Sequence, residues 1–71
     1  MSSEIQTLIF PKRFGWTVAK ALRWADAHGL ATRKVDLTSS SIRVRQHPPG
    51  RFKRLRTIWL GPKVQAVVGF Y

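Results

Sequence analysis

The sequence contains no cysteine and only three acidic residues, Glu4, Asp26 and Asp36. Without thiols it has no disulfide staple and no thiolate metal site, so packing or a partner must hold it together. Three scattered carboxylates offer no pair for acid–base work, and the spacings H-x-E, H-E-x-x-H and C-x-x-C, by which many enzymes hold a metal, do not occur. Gly15, Gly29, Gly50, Gly61 and Gly69 stand singly, so there is no glycine-rich phosphate loop. Thr38 to Ser41 supplies hydroxyls with no base at motif spacing. No catalytic residue, metal ligand or cofactor is therefore assigned, and enzymatic activity is not expected. Long apolar runs are missing too. None approaches the roughly 18 to 20 residues that cross a bilayer, and Met1 to Glu4 lacks the features of a signal peptide. The expectation is a cytoplasmic protein without membrane association.

What is plentiful is positive charge. Thirteen Lys and Arg against three acids give a net charge of +10 on 71 residues. Charge of this size on a small body attracts polyanions at long range and costs stability by self-repulsion. A hydrophobic fraction of 44%, with three Trp and four Phe, places the chain among folded proteins rather than disordered tails. At this length it forms one domain with a small core and little spare stability, which keeps a homodimer open as a further source of burial.

Along the chain, Ile5 to Phe10 is apolar on both faces and reads as a central strand (5–10) stopped by Pro11. Lys12 and Arg13 are exposed in the turn that follows. Thr17 is the N-cap of a helix predicted over 18–28, with Val18, Ala21, Leu22 and Ala25 as its buried stripe and Gly29 at its left-handed end. His28, in the last turn, is assigned a structural role at the helix terminus. Short strands are predicted at 34–37, 41–46, 56–60 and 64–70, with turn chemistry at Thr38 to Ser41 and at Gly61 and Pro62. Gly69 inside the last strand suggests a bulge or a close approach. The fold class is α+β: a single small domain in β-α-β-β(-β) order, with a three- or four-stranded, largely antiparallel sheet packed on one helix.

The order of motifs resembles a small domain encoded in tailed-phage and prophage genomes, whose pattern is VQSVIFDK, a helix bearing T, A, W and HG, then VDxT, RxRQ, a basic FxxFRTI stretch and an apolar strand ending in G. The matching residues are IQTLIFPK (5–12), Thr17, Ala21, Trp24, His28, Gly29, VDLT (35–38), RVRQ (43–46), RTI (56–58) and VQAVVG (64–69). The resemblance covers nearly the whole chain. It implies a compact α+β domain of phage-related origin, working in the host cytoplasm, and carries no catalytic residues with it. Where the pattern has an acid before the lysine, this chain has Pro11, which adds to the bias toward a polyanionic partner.

The stretch Ile42 to Leu60 reads as a basic β-hairpin arm. It carries Arg43, Arg45, Arg51, Lys53, Arg54 and Arg56, six of the thirteen cations, five of them arginine with its fork suited to phosphate. Ile42, Val44, Ile58 and Leu60 are its inward side. Phe52 at the tip is a candidate stacking surface, Trp59 is read as a core residue, and Lys12 and Arg13 extend the basic track. Six phosphate contacts would give a log–log salt slope of about −5. The expected function is binding of nucleic acid, DNA being favoured over RNA, through phosphate contacts with little sequence preference. The competing reading is a protein-interaction module, either a virion or assembly component or an inhibitor of a host protein, using the sheet edge or aromatics.

Overall fold

A computed structural model describes residues 2–71. The chain runs through β1 (Ser3–Pro11), a 3-10 turn (Lys12–Phe14), α1 (Val18–Ala27), β2 (Lys34–Leu37), β3 (Ser41–Arg45), a second 3-10 turn (Pro49–Arg51), β4 (Arg54–Gly61) and β5 (Val64–Phe70). The strands form one antiparallel sheet in the order β2-β3-β1-β5-β4. The domain is α+β with one helix, and the sheet has five strands rather than three or four. The fourth and fifth places arise because β2 and β4 each find an edge position.

β1 lies at the centre of the sheet, as its apolar residues on both faces require. Leu8 and Phe10 on one side are fully buried, and Ile9 on the other is 8% exposed. The helix covers the first of these faces. Thr17 Oγ1 accepts a hydrogen bond from the Lys20 N–H at 3.3 Å and so satisfies a donor that the first turn leaves unpaired. Ala21 and Ala25 are fully buried, and their small side chains let α1 settle onto Leu8, Phe10, Ile42, Val44, Val64 and Ala66. The helix ends at Ala27, one residue before the predicted end, with Gly29 just beyond at φ 71°. His28 stacks on Trp24 at 3.7 Å. Its Nδ1 lies 2.7 Å from the Trp24 carbonyl, which can only accept, so Nδ1 carries the proton.

The basic arm is not a hairpin. β3 and β4 are antiparallel but lie three places apart, with β1 and β5 between them. Two causes combine. β4 closes onto β5 through the short Gly61–Val64 turn, which costs about 1 kcal/mol less in loop-closure entropy than the longer connection 46–53 from β3. β3 instead finds β1, where Leu8 faces Val44 and Phe10 faces Ile42. Pairing β3 with β4 would leave β1 at an edge and expose an apolar side. Residues 46–53 therefore cross the end of the sheet, spanning three strand spacings of roughly 4.8 Å each.

That crossing is anchored at a bulge in β1. The register between β1 and β5 shifts between Ile5 and Thr7, and the extra residue, Gln6, faces the connection. Its carbonyl accepts from the Gln46 and His47 N–H groups at 2.8 and 3.1 Å, and its Nε2 donates to the His47 carbonyl at 2.9 Å. Gln46 in turn makes a paired bond with Ala31, receiving its N–H at 2.7 Å and donating to its carbonyl at 2.8 Å.

Phe52, read as an exposed tip, is turned inward. Its ring lies directly on Gly69, where an added Cβ would collide with it, and 5.2 Å from the Tyr71 ring. The close approach suggested by Gly69 is therefore made by an aromatic side chain. Gly69→Ala is expected to push Phe52 off β5 and destabilise the fold by about 1–3 kcal/mol, the usual cost of overpacking. Denaturant unfolding measures this, and adding Phe52→Ala should recover part of the loss.

Ile58 and Leu60 were expected inside, but they are 37% and 39% exposed. β4 is an edge strand, and the helix packs mainly over the β3 side of the sheet, leaving β4 only partly covered where Leu60 shares a cleft with Trp24 and His28. Trp59, read as core, points to the other face and is 50% exposed.

Candidate nucleic-acid interface on the open sheet face

Residues directly opposite in an antiparallel pair share a face, so the register sorts the side chains. Leu8, Val44, Ala66 and Ile58 line the helix side. The next row, Asp36–Arg43–Ile9–Gln65–Trp59, crosses all five strands on the opposite face, and Lys34–Arg45–Thr7–Val67–Thr57 lies beside it. No helix covers this second face among the described residues. Ile9 and Thr7 are nonetheless buried, flanked by Arg43 and Gln65 and by Arg45 and Val67. Long cationic stems here cover apolar surface while their heads remain in water.

The few acids decide which cations are free. Asp36 holds Arg45 at 3.5 Å. Glu4 is surrounded: the Tyr71 hydroxyl donates to its Oε2 at 2.6 Å, His47 Nε2 lies at 3.1 Å and Arg51 Nη2 at 3.8 Å. Arg51 Nη1 also points at His47 Nδ1 at 3.1 Å. A guanidinium can only donate, so Nδ1 accepts and the imidazole proton sits on Nε2, toward Glu4. Arg51 further lies over the Phe52 and Tyr71 rings at 5.8 and 5.5 Å. Arg51, Phe52 and Arg45, three of the expected contact residues, are thus engaged within the fold.

Glu4 ties the first strand to the crossing loop and the C-terminus, and its titration should be visible in stability. The Tyr71 hydrogen bond is the main cause holding its carboxyl below the ordinary value; partial desolvation opposes this, and the electrostatic pull of the nearby His47 and of the Arg51 guanidinium adds to it. Tyr71 is pushed up, chiefly by the same hydrogen bond. A lowered carboxylate stabilises the fold above its unfolded value, and that contribution is lost as pH falls through the folded one. A raised phenol does the reverse, stabilising below its unfolded value and failing as pH rises through the folded one. Glu4→Gln is therefore expected to flatten the melting temperature both below about pH 4 and above about pH 10. Thermal unfolding across pH checks both limbs.

Lys12, Arg13 and Arg43 have no acidic partner among the described residues. They converge on an open cleft of about 590 Å³ with Ser39, Ser40 and Ser41 at its rim. The turn Lys12–Phe14 carries two of the cations over the end of β1, and the Thr38–Ser41 turn faces them. The Lys12 N–H donates to the Ser40 carbonyl at 2.9 Å, and Lys12 Nζ reaches the Thr38 carbonyl at 2.8 Å. Thr38 Oγ1 receives the Ser41 N–H at 3.0 Å and holds the turn in shape. The carbonyl positions the ammonium without neutralising it.

Aromatic surface adjoins this cleft. Arg13 stacks over Phe14 at 4.8 Å, and the Phe14 ring meets Trp59 edge-on at 6.3 Å. A basic pocket, a phenyl ring and a half-exposed indole are therefore contiguous on the uncovered face. Lys12, Arg13 and Arg43 are the cations expected from the sequence; Phe14 and Gln65 join them without a sequence signal, and Trp59 lies on the open face rather than in the core.

The remaining expected residues lie elsewhere. Arg54 and Arg56 alternate with Leu55 and share the helix side of β4 with Ile58; with Lys53, Phe70 and Tyr71 they line a separate cleft. Among the described residues no group of His, Asp and Glu could hold a metal ion, and no helix is long and apolar enough to cross a membrane. No protein-family model, curated protein or solved structure matches this chain.

Proposed function

We propose that this is a small phage-type protein of the cytoplasm that binds nucleic acid through phosphate contacts on the open sheet face, with little sequence preference and without catalysis. The observation that carries the reading is the convergence of Lys12, Arg13 and Arg43, free of acidic partners among the described residues, on a hydroxyl-rimmed cleft beside the Phe14 ring and the half-exposed Trp59 indole. Each cation that neutralises a phosphate releases condensed counterions, so affinity comes from charge and falls steeply with salt. Lys34 extends the track on the same face, and Arg54, Arg56 and Lys53 act from a distance by raising the general positive field. DNA is the preferred partner, now without a ribbon to enter a groove.

The test is a titration of labelled single- and double-stranded DNA and RNA at two salt concentrations. Binding that weakens with salt along the counterion slope supports the reading; failure of every oligonucleotide to bind at low salt ends it. A second reading, a protein-interaction module, is favoured by β4 alone. From Arg54 to Leu60 every residue of this edge strand is exposed, Leu55 and Trp59 about half so. Such an edge can pair with an extended segment of another chain. Pull-down after nuclease treatment separates the two.

A further inference from the structure

The row Trp59–Gln65–Ile9–Arg43 places four kinds of group in line across three strand spacings, about 14 Å at the backbone. Trp59 offers an indole face, half exposed and braced at its edge by Phe14. Gln65, half-buried, makes no side-chain hydrogen bond among the described residues, which leaves its amide available to a polar edge. Ile9 gives an apolar floor, and Arg43 opens the cleft it shares with Lys12 and Arg13. An aromatic face, an amide and a cationic pocket match a base face, a base edge and a phosphate.

Resting on the nucleic-acid reading, we propose that the ligand of this face is a single strand, with an unpaired base stacked on Trp59 and a phosphate further along the same strand held by Lys12, Arg13 and Arg43. A duplex keeps its base faces inside the helical stack, where an indole on a sheet surface cannot reach them. The arm that would have entered a groove does not exist, since β3 and β4 are separated by two strands. The separation of Trp59 from Arg43 exceeds what one nucleotide bridges comfortably and suits a strand of several, so a free mononucleotide should bind far more weakly. The phosphate pocket fixes the strand's path, and the stacking surface accepts any base, consistent with weak sequence preference.

The experiment uses labelled oligo-deoxythymidine, a labelled mixed-sequence duplex and thymidine monophosphate as competitor, with the parent protein, Trp59→Ala and Trp59→Phe. Circular dichroism and melting of the variants establish that they fold, as a half-exposed edge residue allows. The proposal expects tighter binding of the single strand than of the duplex at equal salt. Trp59→Ala should lose about tenfold or more on the single strand, Trp59→Phe should recover much of it, and the salt slope should not change because no charge is removed. The parent's indole fluorescence should change with the single strand and lose that change in Trp59→Ala. Equal or tighter duplex binding, an equal loss on both ligands, or competition by the monophosphate at concentrations matched to the oligonucleotide would overturn the proposal while leaving phosphate-driven binding intact. Absence of binding to both oligonucleotides at low salt would sink the broader reading along with it.

Discussion

Phe10→Ala is expected to remove most of the protein's stability. Phe10 is fully buried in the central strand, faces Ile42 across the β1–β3 pair, and meets the Trp16 and Trp24 rings edge-on at 4.7 and 5.8 Å. Truncating a buried phenylalanine costs about 3–5 kcal/mol through lost transfer energy and the cavity left behind. Each aromatic contact adds roughly 0.5–1.5 kcal/mol to what is lost. A chain of this size has only about 4–11 kcal/mol of stability at the usual figure per residue, and its self-repelling charge favours the lower end. Denaturant unfolding should show the midpoint collapse, with far-UV circular dichroism reporting an unfolded chain near physiological temperature. Phe10→Leu should lose far less. A loss below about 1 kcal/mol for Phe10→Ala would mean that the core does not pack around this ring.

The second large effect belongs to the open face. Replacing Lys12, Arg13 and Arg43 together by alanine is expected to weaken nucleic-acid binding roughly 100-fold near 0.1 M salt, since each phosphate contact carries about 0.7 of a log unit per decade of salt on a single strand. The fold should survive. Lys12 and Arg13 sit in a turn, and the stem of Arg43 covers only one side of Ile9. The loss should appear in the electrostatic part of the affinity and be nearly independent of base sequence.

How much of this was legible in the sequence differs between elements. The helix followed from Thr17, the stripe of Val18, Ala21, Leu22 and Ala25, and Gly29, because each of these signals is local; within that stripe Ala21 and Ala25 are fully buried, while Val18 at the first turn is 37% exposed. β1 announced its central place through apolar residues on both faces. The pairing of β3 was not legible. Alternation in Ile42–Val44 and in Ile58–Leu60 states that each is a strand but not which neighbour it takes, and the choice was decided by the long-range match of Leu8 and Phe10 to Val44 and Ile42. The exposure of Ile58, Leu60 and Trp59 follows from that topology, which puts β4 at an edge where the helix covers it only in part and does not appear in the local pattern.

The site was half legible for the same reason. Lys12, Arg13 and Arg43 were visible as cations, but what joins them is the antiparallel meeting of Pro11 with Ser41, far apart in sequence. Counting acids could not say which arginines Glu4 and Asp36 would take, and they took Arg51 and Arg45. Phe14 gave no signal of its own beyond its place after two cations in a turn. Trp59 did alternate away from Ile58 and Leu60, and in a chain with one short helix that parity pointed to an uncovered face.

The central claim is that charge on the open face, rather than charge in general, binds nucleic acid. The most direct measurement is the salt dependence of single-strand binding for the parent, for Lys12→Ala/Arg13→Ala/Arg43→Ala and for Arg54→Ala/Arg56→Ala, whose side chains lie toward the other face of the sheet. The account predicts that the open-face variant loses about two units of log–log slope while the β4 variant keeps nearly the parent slope. Equal losses per charge removed in both variants would mean diffuse attraction with no interface, and would contradict it.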